Sequence, residues 1–424
     1  MSRSLCRSLL ISCAMVFAAP AQERTLQEEI NHTLDEARPA LLTHLRKVGH
    51  GNNRPGLVAL VLLAAIHDGV GEDEPRFTKA LEVLTASDPD ECYDLALRLL
   101  VFEALPHTAE RTKLAKRDLG RLLRRQTSKG GFHYQENSNH WDLSNTQYAA
   151  LGLRAAVALG LDVDKRVWTD MAKAVRDLQD NYGGFGYSPG GATDTRLSYA
   201  SMTAAGIAAL AICQQQLGEK SRVGKSLDKE IGRGWQWFER NVATIGSLNE
   251  RRCFYFHYGL ERAGILCDVE KVGEVSWYER GAKMFIAAQM ASGGWTSAQD
   301  GVMGMVADAA GDPVATSFAI LFLRRKFQKQ VGAVTQYVVR FVNLGPHSPD
   351  KDVEACAEQL VAQGKEVMPD VLKALRSKIE PQRRAAAAAL QGIAGETFGY
   401  DAAKDADGNL AAVRAAELWY LRNR

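Results

Sequence analysis

The sequence predicts an all-α protein: an (α/α)6 toroid over residues 22–330, followed by a small helical unit over 331–424. Two observations predict it, a recurring Gln-Gly-aromatic ending and an alternation of two kinds of helical segment. "QTSKGGF" from Gln126, "QDNYGGF" from Gln179 and "QMASGGW" from Gln289 stand 53 and 110 residues apart, one period and two. A further copy is degraded. "RGWQWFERNV" from Arg233 parallels "RGAKMFIAAQ" from Arg280 and puts Val242 where Gln289 stands.

Between the endings, charged amphipathic segments at 26–48, 73–86, 109–126, 164–180, 222–242 and 274–291 each precede an apolar segment. The apolar ones start near Arg54, Glu91, Leu143, Leu197, Arg251 and Val314. A helix apolar nearly all round must be enclosed, whereas an amphipathic one can form an outer wall. Six such pairs can close into a ring with no open end. "LSNTQYAALGLRAAVALG" carries Ser144 and, three residues on, Gln147, the spacing of a capping box at a helix start.

Composition sets the outer limits. With 424 residues, 46% hydrophobic, the chain can bury a large core, and its net charge of +2 does not suit a nucleic-acid binder. Arg3 and Arg7, the apolar run Leu9 to Ala18 and Ala19-Pro20-Ala21 read as a signal peptide over 1–21, giving a periplasmic or secreted protein that starts at Gln22. No transmembrane span is expected. Leu10-Ile11-Ser12-Cys13 offers an alternative, a lipoprotein anchored at Cys13. The mature chain keeps Cys92, Cys213, Cys253, Cys267 and Cys356, an odd and scattered set. Only Cys253 and Cys267 are near enough in sequence to invite a disulfide, and they would flank one helix.

The Gln-x-x-x-Gly-x-Trp/Phe ending (the QW motif) after a segment like "RGAKMF" resembles the repeat of squalene-hopene and oxidosqualene cyclases and of protein prenyltransferase β subunits. The wider pattern, with "HWDLSNTQYAALGLRAA", "NYGGFGYSPGGATDTRLSYASMT" and "DPVATSFAILFLRR", is similar to exported bacterial squalene-cyclase-like or prenyltransferase-repeat proteins. The resemblance implies a terpenoid cyclase α/α toroid. It also implies that Gln126 with Gly131 and Phe132, Gln179 with Gly184 and Phe185, and Gln289 with Gly294 and Trp295 are structural repeats fastening an outer helix to the next turn. Chemistry agrees, because glutamine is a poor acid, base and nucleophile.

The squalene-hopene branch marks its acid with Asp-x-Asp-Asp, and this chain has no such motif. Asp88-Pro89-Asp90-Glu91 comes nearest, and it reads equally as a helix start: Asp88 as N-cap, Pro89 first in the helix, Asp90 and Glu91 complementing the dipole. Prenyltransferases hold zinc through Asp, Cys and His. Asp90, Cys92 and His257 are a partial match, but the expectation is no metal and no cofactor. Aligning the inner helix starts brings together Trp141, Asp142, Asn145 and Gln147; Asp194, Tyr199 and Ser201; Tyr255 and His257; and Asp312, Thr316 and Ser317. Such a set could bind a ligand at the mouth of the toroid or merely cap six helices.

Beyond about residue 330, "EPQRRAAAAALQGIAGETFGYD" resembles a HEAT repeat ending, so the C-terminal unit is expected to be HEAT-like. The leading expectation is an exported toroid that binds or scaffolds, its central cavity open to an isoprenoid, lipid, glycan or protein ligand. Two enzymes are alternatives: a divergent terpenoid cyclase or transferase using Asp90 or Asp142 as acid, and a carbohydrate-active toroid with paired carboxylates.

Overall fold

A computed structural model describes residues 24–105, 108–190, 197–218, 221–250, 252–296, 309–325, 344, 348–405 and 407–423. The leader, Cys13, Asp194 and the boundary near residue 330 lie outside the described residues.

Six outer helices, α1 (Leu26–His50), α3 (Pro75–Ala86), α5 (Ala109–Leu123), α7 (Lys165–Arg176), α9 (Arg222–Arg240) and α11 (Trp277–Ala288), alternate with six inner ones. The inner helices are α2 (Pro55–His67), α4 (Cys92–Ala104), α6 (Leu143–Ala158), α8 (Ala200–Leu217), α10 (Cys253–Leu266) and α12 (Pro313–Arg324). A two-residue hairpin, Lys271–Val272 with Val275–Ser276, links α10 to α11. Outer helices start on polar caps: Thr25, Thr108, Asp164, Ser221 and Ser276 each accept a hydrogen bond from a first-turn amide. Inner helices are enclosed, with every residue from Gly56 to Ala65 of α2 buried.

Each inner helix packs on the next, and α12 packs back on α2, which closes the ring. Ion pairs seal that seam: Asp68, at the end of α2, meets Arg324 of α12 and lies 3.0 Å from Arg38 of α1. One inner helix is capped from outside. No side chain of its own caps α2, so Asp94 of α4 accepts from the Gly56 amide at 3.0 Å, an approach that leaves no room for a Cβ on residue 56.

The recurring ending is a three-part fastener. Its glutamine amide donates both to its own turn and to the next outer helix: Gln126 to the Gly130 and Val167 carbonyls, each at 3.0 Å; Gln179 to Gly183 (3.0 Å) and Glu230 (2.7 Å); Gln289 to Gly293 (2.9 Å) and Thr33 (2.8 Å). The last of these joins α11 to α1 across the seam. The aromatic residue is fully buried, and its amide donates to an inner-helix threonine: Phe132 to Thr146, Phe185 to Thr203, Trp295 to Thr316. Gln289→Ala removes one donor that serves two carbonyls and is expected to cost about 1–3 kcal/mol. Urea unfolding checks this; an unchanged midpoint would mean that Gln289 fastens nothing.

After the toroid, α13 (Asp350–Gln363), α14 (Met368–Ala374), α15 (Glu380–Ala394) and α16 (Leu410–Asn423) enclose a second apolar core around Leu360, Val371, Leu390 and Val413. Pro381 stands in the first turn of α15 and its alanines 385, 386 and 389 are buried. Among the described residues no helix is long and apolar enough to cross a membrane.

Candidate ligand site at the toroid mouth

Because inner and outer helices run antiparallel, the inner helices all start at one pole, and their first turns converge there. Asp142 caps α6: one carboxylate oxygen accepts from the Asn145 amide at 2.8 Å and the other from the Asn145 side chain at 2.7 Å. Burial pushes this carboxyl up, while bonds from Asn145 and then Tyr187 pull it back. Asp312 caps α12 in the same manner, accepting from the amides of Val314 (2.7 Å) and Ala315 (3.3 Å).

Ser144 and Gln147 do not form a capping box. The cap is Asp142, and the two residues, already inside the helix, turn toward the toroid axis instead. Tyr93 of α4 bonds the Ser144 hydroxyl, which lies 2.7 Å from that of Tyr255 on α10, and Tyr255 donates to Gln147 Oε1 at 2.9 Å. Since α8 stands between α6 and α10 in the ring, these bonds cross the axis. Aromatic rings fill in around them: Tyr148 lies 4.4 Å from Tyr93 and 6.2 Å from Tyr255, and Tyr258 lies 4.9 Å from Phe318 of α12. Toward the opposite pole Arg154 pairs with Glu103 at 3.4 Å, and Arg262 pairs with Glu261 and stacks 4.1 Å from the Tyr258 ring centre. Positive charge there suits the converging helix C-termini.

Beside this bridge the phenols of Tyr93, Tyr134 and Tyr187 gather near Asp142. Tyr93, Tyr134 and Tyr187 are half-buried, and Tyr93 and Tyr134 stack with ring centres 5.8 Å apart. Burial and the Asp142 charge raise the phenol pKa of both Tyr134 and Tyr187. Trp141 Nε1 and Gln147 Nε2 are buried without a hydrogen-bond partner among the described residues. Sequence reasoning missed Tyr93, Tyr134 and Tyr187. A signal existed, since Tyr134 and Tyr187 each stand two residues after a fastener aromatic, Phe132 and Phe185.

Other candidates fall elsewhere. Trp141 covers Gly131, leaving no space for a Cβ there, so the ring belongs to the fastener. Asp90 is exposed and pairs with Arg125 at 2.7 Å, Asp88 pairs with Arg121, and α4 starts only at Cys92, so Asp88 is not its cap. The Cys92 thiol, pushed well up by burial, donates to the Asn145 carbonyl. Asp90, Cys92 and His257 are thus each engaged separately, and no group of three metal-ligating side chains occurs among the described residues. Cys253 and Cys267 sit at opposite ends of α10 and are not joined in a disulfide, which corrects the disulfide expectation.

His257 is a fastener rather than a ligand. It is fully buried, with Nε2 accepting from the Gly246 amide at 2.9 Å and Nδ1 lying 2.7 Å from the Cys253 carbonyl. In the degraded repeat it does what Thr146, Thr203 and Thr316 do in the intact ones. Its acceptor role requires the neutral ring, and burial lowers its pKa from 6.5 to about 4. Burial, then the charge of Lys47, does the same to His44. Above pH 6.5 neither the folded nor the unfolded chain holds these protons. Between 6.5 and about 4 only the unfolded chain takes them up, so stability is lost as the pH is lowered through this window, by up to about 3 kcal/mol per histidine. His257→Gln keeps an acceptor and is expected to flatten its share of that slope in urea titrations at pH 7 and 4.5; an unaltered slope would count against this role.

In sequence, no family model and no curated protein matches this chain. In structure it is similar to a possible member of the GH105 family from Salmonella enterica, at 13% identity and a TM-score of 0.50, over 75% of this chain and 98% of that one. It is also similar to the type II terpene cyclase MstE from Scytonema, at 12% identity and a TM-score of 0.44, over 70% of this chain and 98% of that one. A variant of MstE at 12% identity and a TM-score of 0.44, covering 71% of this chain and 98% of that one, is in complex with geranylgeranyl dihydroxybenzoate. The fold is an α/α toroid. At such identities the likeness is one of architecture, and the chemistry has to come from the residues at the mouth.

Proposed function

We propose that this toroid is a binding module whose mouth holds a polyhydroxylated ligand, a glycan in the first instance, and that it does not cyclise isoprenoids. The hydrogen-bond bridge from Tyr93 through Ser144 and Tyr255 to Gln147 carries this reading. Polar side chains from three inner helices, α4, α6 and α10, meet where a cyclase would need an apolar chamber. What the mouth offers is half-buried phenols beside amide groups, and aromatic faces with hydrogen-bonding edges suit sugar rings. Neither candidate acid supports cyclase chemistry. Burial raises the Asp142 carboxyl, but both of its oxygens are committed to N–H donors of Asn145, and Asp90 is exposed and ion-paired.

A glycan-hydrolase reading would need a second free carboxyl at the mouth. Asp94 is the nearest in character, raised by burial to about 6, but its Oδ1 is committed to the Gly56 amide. The same proposal places the protein outside the cytoplasm, on the strength of the leader, with a mature chain starting at Gln22. A mature N-terminus at a diacylated Cys13 would instead put it on a membrane surface.

The test is a glycan-binding screen, followed by titration of each hit into wild-type and Tyr134→Ala protein, alongside incubation with squalene and prenyl diphosphates. Loss of this half-buried phenol is expected to weaken binding by roughly tenfold, the worth of one stacking contact. Cyclic or transferred product that disappears in Asp90→Asn or Asp142→Asn would replace the binding reading with an enzyme.

A further inference from the structure

The fastener between outer helices α7 and α9 carries more than a fastener needs. Beside it lies a cleft of about 280 Å³, lined by Lys173, Arg176 and Asp177 at the end of α7, by Gln179, and by Glu230 and Arg233 of α9. Arg233 donates to Gln179 Oε1 at 3.3 Å and to the Asp180 carbonyl at 2.6 Å, and Arg176 pairs with Glu230 at 3.0 Å. These contacts tie the two walls together. Lys173, by contrast, is exposed and makes no ion pair among the described residues, and Glu230 Oε2 is buried there without a hydrogen-bond donor.

An aromatic ring stands on the same turn. Tyr182 is 76% exposed, its carbonyl accepts from Arg240, and a Cβ on the neighbouring Gly183 would stand 3.1 Å from that of Arg233. Neither the ring nor the charges follow from fastening. The other two fasteners have Lys129 and Ser292 where this one has Tyr182. At the positions of Lys173, Arg176 and Arg233 they have Gly120, Leu123 and Asp170 in one case, and Lys283, Ile286 and Glu36 in the other. Both make the same paired glutamine bonds.

We infer that the α7–α9 cleft is a binding site on the outer wall, separate from the mouth, for an acidic saccharide. The carboxylate lies between Lys173 and Arg233, the sugar ring packs on Tyr182, and a hydroxyl donates to Glu230 Oε2. Cationic donors bind carboxylates through charge-assisted bonds, and a tyrosine face offers apolar area to the C–H face of a sugar. Three cations against two carboxylates leave one net positive charge among the lining residues. That balance matches a single carboxylate better than a doubly charged phosphate.

The experiment titrates glucuronate, glucose and inorganic phosphate into the intact chain by ligand-observed NMR, with Tyr134→Ala present throughout so that the mouth is weakened equally in every arm. Glucuronate is expected to bind at least about tenfold tighter than glucose, as a charge-assisted bond would give. Adding Lys173→Gln or Tyr182→Ala should each weaken glucuronate by about tenfold. Both side chains are exposed and take no part in the glutamine bonds, so urea midpoints should stay unchanged and separate lost binding from lost folding. Glucuronate that binds no better than glucose, or whose binding survives both substitutions, overturns the site. Phosphate bound as tightly as glucuronate, with neither weakened by Tyr182→Ala, overturns the saccharide assignment and leaves a cationic patch without a ring-binding face.

Discussion

Gly293→Ala is expected to destabilise the toroid by about 3 kcal/mol or more, at the upper end of single-substitution effects. Gly293 holds φ at +85°, and a Cβ there would stand 1.9 Å from the Glu36 carbonyl oxygen and 2.8 Å from its carbon. That backbone cannot withdraw cheaply, because Gln289 donates to Thr33 in the same turn of α1 and the contact closes the ring between the last outer helix and the first. Gly273→Ala is the control. Its φ is also positive, at +56°, but a Cβ there meets nothing within 4 Å, so it should show only the conformational cost of about 1 kcal/mol. Equal urea midpoints for the two variants would show that close approach at the seam contributes nothing.

Asp118→Ala is expected to cost about 3–5 kcal/mol, the usual result of stripping one partner from a fully buried ion pair. Arg98 and Asp118 are both 0% exposed and meet through two parallel bonds, one of them 2.6 Å long, while Arg98 also donates to the Leu84 and Ser87 carbonyls. Removing the carboxylate leaves a guanidinium between inner α4 and outer α5 with carbonyls alone for company. The double variant Arg98→Met with Asp118→Leu should recover most of the loss, since the pair is costly to bury and apolar side chains of similar size are not. A single variant within 1 kcal/mol of wild type would mean that water reaches Arg98.

The sequence by itself determined the alternation of helices and the position of every fastener, because both are written in local patterns. Burial on all sides or on one side appears as continuous or periodic apolar spacing, and a turn that needs positive φ beside a close carbonyl demands glycine at Gly130, Gly183 and Gly293. The starts expected near Arg54, Glu91 and Val314 fall within two residues of Pro55, Cys92 and Pro313 for the same reason. Capping assignments were legible only where the cap is local, as at Asp142 and Asp312. Only the tertiary structure decided that Asp94 caps a different helix, that Ser144 and Gln147 reach across the axis to Tyr255, and that His257 stands in for a threonine. Ser144 and Tyr255 are 111 residues apart, and no spacing rule links them. Their meeting depends on six helix pairs closing into one ring, which fixes which polar side chains face each other across the axis once water has been excluded.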